Sequence, residues 1–283
     1  MQKSDEVDIL VIGGGPAGST AASMAAKSGL SVKVCERSKF PREHVGESLL
    51  PASIAILEEL GLKEAISNAG FLPKYGATMV WGQDETPWSW RFSETNKQNI
   101  HSYQVSRPIF DEILLKRSAE LGVLVEEESS VTKILTDDSN RGAVVTNKIG
   151  QEYFQPAKFI VDASGQSALL ARNLNLRQWD ENFQNLAVYG YFAGAKKLPA
   201  PDENNIFIES YENGWVWSIP LNDDITSVGA VVDSNETNAE LRKTDPVTFL
   251  KDQLSLTNRT SDMLSEAELK SDAKILKDWS YTT

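Results

Sequence analysis

This sequence of 283 residues contains a glycine-rich tract near its N-terminus. The residue types and spacing of this tract are suited to binding a pyrophosphate. It matches the pattern G-x-G-x-x-G and reads Gly13-Gly14-Gly15-Pro16-Ala17-Gly18. In that pattern the first glycine permits a tight turn, the second lets the backbone approach a pyrophosphate, and the third lets a helix pack closely on a strand. Glu36 stands 18 residues after Gly18, where an acid hydrogen-bonds ribose hydroxyls and disfavours a 2′-phosphate. Because a strand-like run precedes the tract and a helix-like stretch follows it, we predict a dinucleotide site rather than a purely structural turn.

A lysine and a pair of tryptophans form the second group of candidate residues. Lys74 lies in the stretch Phe71-Leu72-Pro73-Lys74-Tyr75-Gly76, and burial would lower its pKa and make its amine more reactive near neutral pH. The other stretch reads Gly214-Trp215-Val216-Trp217-Ser218-Ile219-Pro220. Strand alternation places Trp215, Trp217 and Ile219 on one face, where two indoles can form a rigid wall, and Pro220 ends the strand. A solvated surface lysine and an ordinary aromatic core strand are the alternatives that these residues leave open.

These candidate residues require an α/β framework to position them. Periodicity and stop signals predict strands over 7–12 and 32–35, helices over 16–29, 51–60 and 107–121, a hairpin over 76–92, short strands over 123–126, 130–136, 143–148 and 158–163, and antiparallel strands over 186–193 and 206–232. We predict a Rossmann-like βαβ domain into which a mixed and antiparallel sheet is inserted. The dinucleotide domain comprises residues 1–75 and 103–180, and the substrate domain comprises residues 76–102 and 181–283.

The composition excludes several classes of protein. The formal net charge is −12, which argues against a protein that grips nucleic acid or an anionic membrane surface. No apolar run approaches the roughly 18 residues of a membrane span, and the acidic start lacks the pattern of a signal peptide. One cysteine, Cys35, excludes an internal disulfide, and two histidines argue against a metal site. We therefore predict a cytoplasmic protein with no metal, no nucleic-acid partner and no stable membrane insertion.

Several segments together resemble the flavin-dependent halogenases, within the wider family of aromatic-hydroxylase-like flavoproteins. They are the tract over 36–51, the lysine-bearing stretch with Trp81-Gly82 behind it, the tryptophan stretch, which matches the signature W-x-W-x-I-P, and the segments 107–122 and Val161-Asp162-Ala163-Ser164-Gly165. The resemblance spans nearly the whole chain in the expected order. It implies FAD, used in its reduced form FADH₂, as the cofactor of the dinucleotide site.

The resemblance implies a halogenation that consumes oxygen and chloride or bromide. In that family FADH₂ reacts with oxygen to give a flavin C4a-hydroperoxide, a halide attacks it, and the resulting hypohalous acid passes through an internal channel to a lysine. Lys74 occupies the matching position and would either form a chloramine or hydrogen-bond the acid. The implied substrate is an electron-rich aromatic such as a phenol or pyrrole, free or tethered to a carrier protein. Since the sequence has one dinucleotide motif, a separate flavin reductase would supply FADH₂.

The resemblance also implies roles for further residues. Cofactor contacts are expected from Gly13, Gly15, Pro16, Ala17, Gly18, Glu36, Arg37, Arg42, Glu47, Ser48, Arg107 and Asp162, and a substrate pocket from Trp215, Trp217, Ile219 and Pro220. Glu47 and Ser48 are expected near the flavin ring or a halide channel, although Ser48 is equally suited to cap the helix behind Pro51. Arg42 and Arg107 suit contacts to the flavin or its phosphates, and equally suit surface ion pairs.

Two alternative functions stay open. Geranylgeranyl-reductase-like and hydroxylase-like flavoenzymes share the glycine-rich unit and a similar Trp/Pro strand, but lack the lysine stretch in this form. An inactive flavin-binding module is the second alternative, because the family pattern continues with a Gly-Asp segment beyond a stretch like Asp278-Trp279-Ser280-Tyr281, whereas this sequence ends at Thr283. We therefore expect residues 1–283 to bind FAD weakly on their own.

Overall fold

The structure, a computed structural model, describes residues 2–137, 140–234, 237, 241, 243–277 and 280–283, so Asp278 and Trp279 lie outside it. The strands are β1 Gln2–Lys3, β2 Val7–Ile12, β3 Val32–Cys35, β4 Leu72–Lys74, β5 Gly76–Val80, β6 Trp88–Arg91, β7 Ser102–Gln104, β8 Leu124–Glu126, β9 Ser130–Leu135, β10 Gly142–Thr146, β11 Glu152–Asp162, β12 Gln178–Trp179, β13 Asn185–Ala193, β14 Ile206–Tyr211, β15 Gly214–Pro220, β16 Ile225–Asp233, β17 Glu268–Leu269, β18 Lys274–Lys277 and β19 Tyr281–Thr282. The helices are α1 Pro16–Lys27, α2 Ala52–Glu59, α3 Lys63–Asn68, α4 Phe92–Thr95, α5 Arg107–Glu120, α6 Leu169–Asn173, α7 Pro246–Ser255 and α8 Arg259–Met263. Within the described ranges, no helix is both long enough and apolar enough to cross a membrane.

The first sheet forms the predicted Rossmann-like unit. Its order is β8-β3-β2-β11-β10-β9, with β1 also paired to β11, and β8, β3, β2 and β11 run parallel. The apolar run of β2 is buried, as is typical of a central parallel strand. Small residues of α1 such as Ala22 pack with Val11 and with Leu115 of α5 in one core cluster. The predicted βαβ arrangement is confirmed, and β11 is longer than the strand predicted over 158–163.

The second sheet is mixed and mostly antiparallel. Its order is β17-β13-β16-β15-β14-β5-β6, with β18 also paired to β13. The predicted hairpin over 76–92 is confirmed as β5 and β6, and the predicted aromatic strands are confirmed as β13 to β16. The parallel pairing of β14 with β5 was not predicted from the sequence. These two strands lie far apart in the chain, so no turn signal between them marks their pairing.

The two faces of the second sheet have different surroundings. On one face α7 packs against the strands, where Phe249 joins a buried aliphatic cluster. The other face carries Tyr189, Trp217 and Ile219, and Val45 from the segment between β3 and α2 packs against them. The tryptophan face therefore lies against the loop that contains several of the predicted cofactor residues.

A short two-stranded ladder is separate from both sheets. β4 and β7 pair antiparallel, and Ser48 forms an isolated antiparallel bridge to Gln104 of β7. Lys74 is the last residue of β4 and precedes β5 of the second sheet. The ladder thus places the predicted lysine beside the Gly46–Ser48 loop.

Candidate functional site

The glycine-rich turn is built around two close backbone approaches. Gly13 has a φ of +101°, and a Cβ at this position would collide with the carbonyl of Ala163. A Cβ on Gly18 would overlap the carbonyl oxygen of Gly13. No side chain caps the first turn of α1, so its backbone N–H groups and the positive end of its dipole are free for an anion.

Glu36 fixes the turn through its carboxylate. Its two oxygens accept hydrogen bonds from the N–H groups of Gly14 and Ser38, each at 2.7 Å. The residue is 5% exposed and follows β3, as predicted. Each carboxylate oxygen keeps a second lone pair, which leaves Glu36 able to accept from a ribose hydroxyl.

A cavity of about 550 Å³ adjoins this turn. Its lining includes eight predicted cofactor residues: Gly13, Gly15, Pro16, Ala17, Glu36, Arg37, Arg42 and Arg107. The other four predicted cofactor residues do not line it: Gly18, Glu47, Ser48 and Asp162. A larger cavity of about 1160 Å³ borders Thr78 and Phe207, on the sheet face opposite Trp217, and no predicted site residue lines it.

Two predicted arginines share one fully buried carboxylate. Arg107 donates from Nε and Nη2 to the two oxygens of Asp111 at 2.7 and 2.9 Å, and Arg42 donates to one of these oxygens at 3.1 Å. Arg107 also donates to the carbonyl of Val45 at 2.6 Å, which fixes the segment leading to Glu47. Arg42 and Arg107 therefore form ion pairs, which was one of the two expectations for them, but their shared partner Asp111 is buried and not on the surface. Two positive charges against one negative charge leave this wall of the cavity attractive to a phosphate.

Asp162 lies beside the cavity without lining it. Its carboxylate accepts from the N–H groups of Ser164 and Leu170 at 3.0 and 2.7 Å. Ser164 and Gly165, which follow it, do line the cavity. The Asp162 carboxylate therefore supports the turn that borders the cavity, and its contact with the cofactor stays a prediction.

Lys74 is buried, with 2% of its surface exposed. Its Nζ donates to Ser48 Oγ at 2.5 Å and lies 5.3 Å from the centre of the Phe92 ring. Burial lowers the pKa of Lys74 from 10.5 to about 8. The alternative of a solvated surface lysine is therefore wrong. The alternative that Ser48 caps the next helix is also wrong, because Pro51 occupies that N-cap position.

Glu47 connects the loop to the second sheet. It is 1% exposed, and the Tyr191 hydroxyl donates to its Oε1 at 3.0 Å. Its Oε2 makes no hydrogen bond of ordinary geometry to the described residues. Burial raises the pKa of Glu47, and the nearby hydroxyls of Ser227 and Tyr191 and the charge of Arg107 oppose this rise. The buried setting thus favours the neutral carboxyl.

Trp215 and Trp217 share one face of β15, as strand alternation predicts. Their ring centres are 6.1 Å apart and their planes are tilted by 52°. Trp217 is buried, and its Nε1 donates to Ser227 Oγ at 3.3 Å. Ile219 joins the same cluster, whereas Pro220 ends the strand and lies on its other face.

The predicted residues therefore fall into two groups. The first surrounds the cavity at the glycine-rich turn. The second is a buried polar cluster in which Lys74 contacts Ser48 and Glu47 contacts the second sheet. Four residues that contact members of these groups were not predicted from the sequence: Phe92, Asp111, Tyr191 and Ser227. The spacing of Asp111, four residues after Arg107 in a helix, was a usable signal, whereas Ser227 lies in an unremarkable strand.

The first group fits FAD. The glycine-rich turn lacks side chains where a pyrophosphate must approach, and an uncapped helix N-terminus adjoins it. Glu36 retains acceptor capacity for a ribose, and the Arg42–Arg107–Asp111 cluster carries excess positive charge. The described residues contain no cluster of three or more potential metal-ligating side chains.

Comparison with known proteins supports this assignment. The sequence profile of the family described as FAD binding domain matches residues 6–279. The tryptophan 2-halogenase of Chondromyces crocatus is 37% identical over 235 residues, which cover 82% of this chain and 44% of that protein. The 1H-pyrrole-2-carbonyl peptidyl-carrier-protein chlorinase of Pseudomonas fluorescens is 34% identical over 302 residues, which cover 98% of this chain and 66% of that protein.

Solved structures give the same result. The myxobacterial chondrochloren halogenase CndH superposes with a TM-score of 0.93 and 38% identity, covering 98% of this chain and 65% of that chain. The flavin-dependent halogenase CmlS superposes with a TM-score of 0.92 and 37% identity, covering 99% of this chain and 51% of that chain. This chain thus spans roughly half to two thirds of the length of these relatives.

Proposed function

The chain belongs to the FAD binding domain family of flavoproteins, and on that premise we propose that it acts in FADH₂- and O₂-dependent halogenation of an electron-rich aromatic, directed by Lys74. The observation that carries the proposal is the buried Lys74 amine, held by Ser48 and lowered in pKa by burial. A functional lysine is typically found in such a setting, whereas most lysines are exposed. The similarity to named halogenases supports the reaction class.

The cavity at the glycine-rich turn is the proposed cofactor site. When bound there in its reduced form, FAD supplies the electrons that let oxygen oxidise chloride or bromide to a hypohalous acid. The first turn of α1 would hold the pyrophosphate, and Glu36 would hold the ribose. Arg42 and Arg107 would attract the negative charge. A separate flavin reductase is the proposed source of reduced cofactor, as the resemblance to the halogenase family implies.

Lys74 is the proposed site at which the oxidant is held. As an ammonium it donates a hydrogen bond to the oxygen of the hypohalous acid, which makes the halogen more electrophilic. As a free amine it can instead attack the halogen: an N–halogen bond forms, the O–halogen bond breaks, and the hydroxyl leaves as water with a proton from the amine. With a pKa of about 8, both forms are present near neutral pH, and Ser48 fixes the position of Nζ in either case.

The tryptophan face is the proposed wall of a pocket for a planar substrate. Trp215 and Trp217 present two rigid indoles on one strand, on the face that packs against the Glu47 loop. Two relatives are named for tryptophan and for a carrier-bound pyrrole, and both of these are electron-rich aromatics. We infer a substrate of this class, phenol or pyrrole in type, either free or tethered to a carrier protein.

The Lys74→Met variant tests the proposal. Protein supplied with reduced FAD, oxygen and bromide is incubated with a panel of phenols, pyrroles and indoles, and products are identified by mass spectrometry. We expect halogenated product per flavin oxidised to fall about 100-fold in Lys74→Met. Lys97→Met serves as the matched control, because Lys97 is exposed and donates to the carbonyl of Ser93, four residues before it. Equal yields from Lys74→Met and wild type would contradict the role of Lys74, and hydroxylated product would favour the hydroxylase-like alternative.

A further inference from the structure

The ladder face that carries Lys74 also carries other buried polar side chains. Lys74 pairs directly with Ser102 across β4 and β7, and Ser48 pairs with Gln104 through its bridge. Directly opposed residues of an antiparallel ladder share a face, and so do alternate residues of one strand. Lys74, Ser102, Gln104 and Ser48 therefore lie on the same face, in agreement with the contact between Lys74 and Ser48.

Two polar atoms of this face have no partner among the described residues. Ser102 and Gln104 are both fully buried, and neither Ser102 Oγ nor Gln104 Oε1 accepts or donates a hydrogen bond there. Nζ of Lys74 uses one of its three N–H donors, on Ser48. A buried polar atom left without a partner costs about 1–3 kcal/mol, so this arrangement favours a small polar ligand.

The orientation of the Gln104 amide decides which ligand fits. Its nitrogen donates to the carbonyl of Asn204 at 3.0 Å. If the amide were reversed, its oxygen would lie next to the carbonyl oxygen of Asn204, and both atoms are acceptors. The amide oxygen of Gln104 is therefore the atom without a partner among the described residues. The face thus offers donors from Lys74, a hydroxyl from Ser102 and an acceptor from Gln104.

We propose that Lys74, Ser102 and Gln104 form a subsite for a small neutral molecule with one O–H group, and that Gln104 selects the protonated oxidant. The oxidant part rests on the proposed halogenase function. A hypohalous acid can accept from Lys74 and donate its O–H to Gln104, as water can. A halide or hypohalite ion has no proton to donate, and its negative charge would be repelled by the lone pairs of Gln104 Oε1, so it would bind less favourably. The step is binding only: the acid keeps its proton and no covalent bond forms.

The first arm of the test follows the Lys74 amine by NMR in flavin-free protein with labelled lysine. If a bound O–H molecule links Gln104 to the ammonium, Gln104→Leu lowers the midpoint of the Lys74 titration by on the order of one pH unit. Gln104→Glu is expected to raise it, because a carboxylate stabilises the ammonium. Gln253→Leu is the matched control: Gln253 is also buried, but its amide oxygen accepts from Tyr211, away from the ladder. An unchanged or raised midpoint in Gln104→Leu overturns the subsite, since simple disruption of the ladder would hydrate Lys74 and raise its pKa.

The second arm separates the oxidant from other O–H ligands. Protein turning over with reduced FAD, oxygen and bromide is assayed with a 1,3-diketone that traps hypobromous acid in solution. We expect the trapped fraction per flavin oxidised to rise several-fold in Gln104→Leu and to stay unchanged in Gln253→Leu. An unchanged trapped fraction in Gln104→Leu overturns the oxidant assignment. If no variant releases or uses hypobromous acid, the proposed function fails, and the NMR arm still decides whether the subsite exists.

Discussion

At the residue scale, two buried titratable groups near the loop and ladder are both shifted toward their neutral forms. Burial lowers the pKa of Lys74 and raises that of Glu47. The cause is the same for both, because an interior solvates charge poorly. Shifts of this kind cost stability and are concentrated at functional sites.

Replacing Lys74 by Met is therefore expected to stabilise the fold at neutral pH. Folding lowers the pKa of this amine from 10.5 to about 8, so below pH 8 its charge costs the folded state up to about 3 kcal/mol. Methionine fills a similar volume without charge but loses the hydrogen bond to Ser48. We expect a net gain of about 1–2 kcal/mol in the free energy of unfolding at pH 7, measured by urea denaturation.

The gain from Lys74→Met is expected to depend on pH. Between pH 8 and 10.5 the unfolded chain still binds the proton that the folded chain has lost, so the cost declines as the pH rises and vanishes above 10.5. The advantage of Lys74→Met should shrink over the same interval. An advantage that is constant with pH, or absent at pH 7, would show that Lys74 is not desolvated in this way.

The sequence predicted candidate site residues but not the side chains that contact them. The stretch around Lys74 identified the lysine, but its burial depends on β7 and on the loop at Ser48, which are distant in sequence. Ser48 was left open between a helix cap and a site residue because both interpretations satisfy the same local pattern. Tertiary contact alone distinguishes them.

At the scale of elements, the junction of β2, α1 and β11 should tolerate no added side chain at Gly18. A Cβ there would overlap the carbonyl of Gly13, so Gly18→Ala is expected to cost about 3 kcal/mol or more of folding free energy, despite the helix preference of alanine. Gly15→Ala is the contrasting variant. Its backbone is extended, and a Cβ would meet only the guanidinium end of Arg42 at 3.2 Å.

Gly15→Ala is therefore expected to keep the fold and to weaken FAD binding about tenfold, because the methyl group projects at the cavity wall. Thermal denaturation and flavin-fluorescence titration measure the two effects separately. Loss of fold in Gly15→Ala, or full flavin affinity in a stably folded Gly18→Ala protein, would contradict this account of the turn.

Local elements were predictable where periodicity and stop signals agree. The β2-α1-β3 unit and the helix α5 follow directly from apolar runs, small residues and terminal glycines. The parallel pairing of β14 with β5 was not predictable, because it joins strands distant in the chain. The ion cluster around Asp111 was only half predictable: the spacing to Arg107 marks a helical pair, but the approach of Arg42 is tertiary.

At the scale of the whole molecule, a hydrogen bond between two buried groups links the Gly46–Ser48 loop to the second sheet. The Tyr191 hydroxyl donates to Glu47, so Tyr191→Phe is expected to lower the free energy of unfolding by about 1–3 kcal/mol. Tyr189→Phe is the matched control, since Tyr189 lies two residues away on the same face and its hydroxyl makes no bond to Glu47.

The pH dependence of the Tyr191→Phe effect follows from the pKa of Glu47. Burial raises this pKa, so the ionised group costs stability as the pH rises above its unfolded value of 4.5. The Tyr191 hydroxyl relieves part of that cost by stabilising the carboxylate. The difference between Tyr191→Phe and wild type should therefore grow as the pH rises through the folded-state pKa of Glu47 and decline in acid, as chemical denaturation at graded pH measures. A difference that grows toward acid would contradict this assignment.

The central claim, that the molecule uses reduced flavin and oxygen to oxidise a halide, is tested most directly by rapid mixing. Protein loaded with FADH₂ under anaerobic conditions is mixed with oxygenated buffer, with and without bromide, and flavin absorbance is followed while products are analysed. The account predicts that bromide changes the rate of return to oxidised flavin in a saturable way and that a halogenated aromatic forms. Reoxidation at one rate regardless of bromide, with no halogenated product, would contradict it.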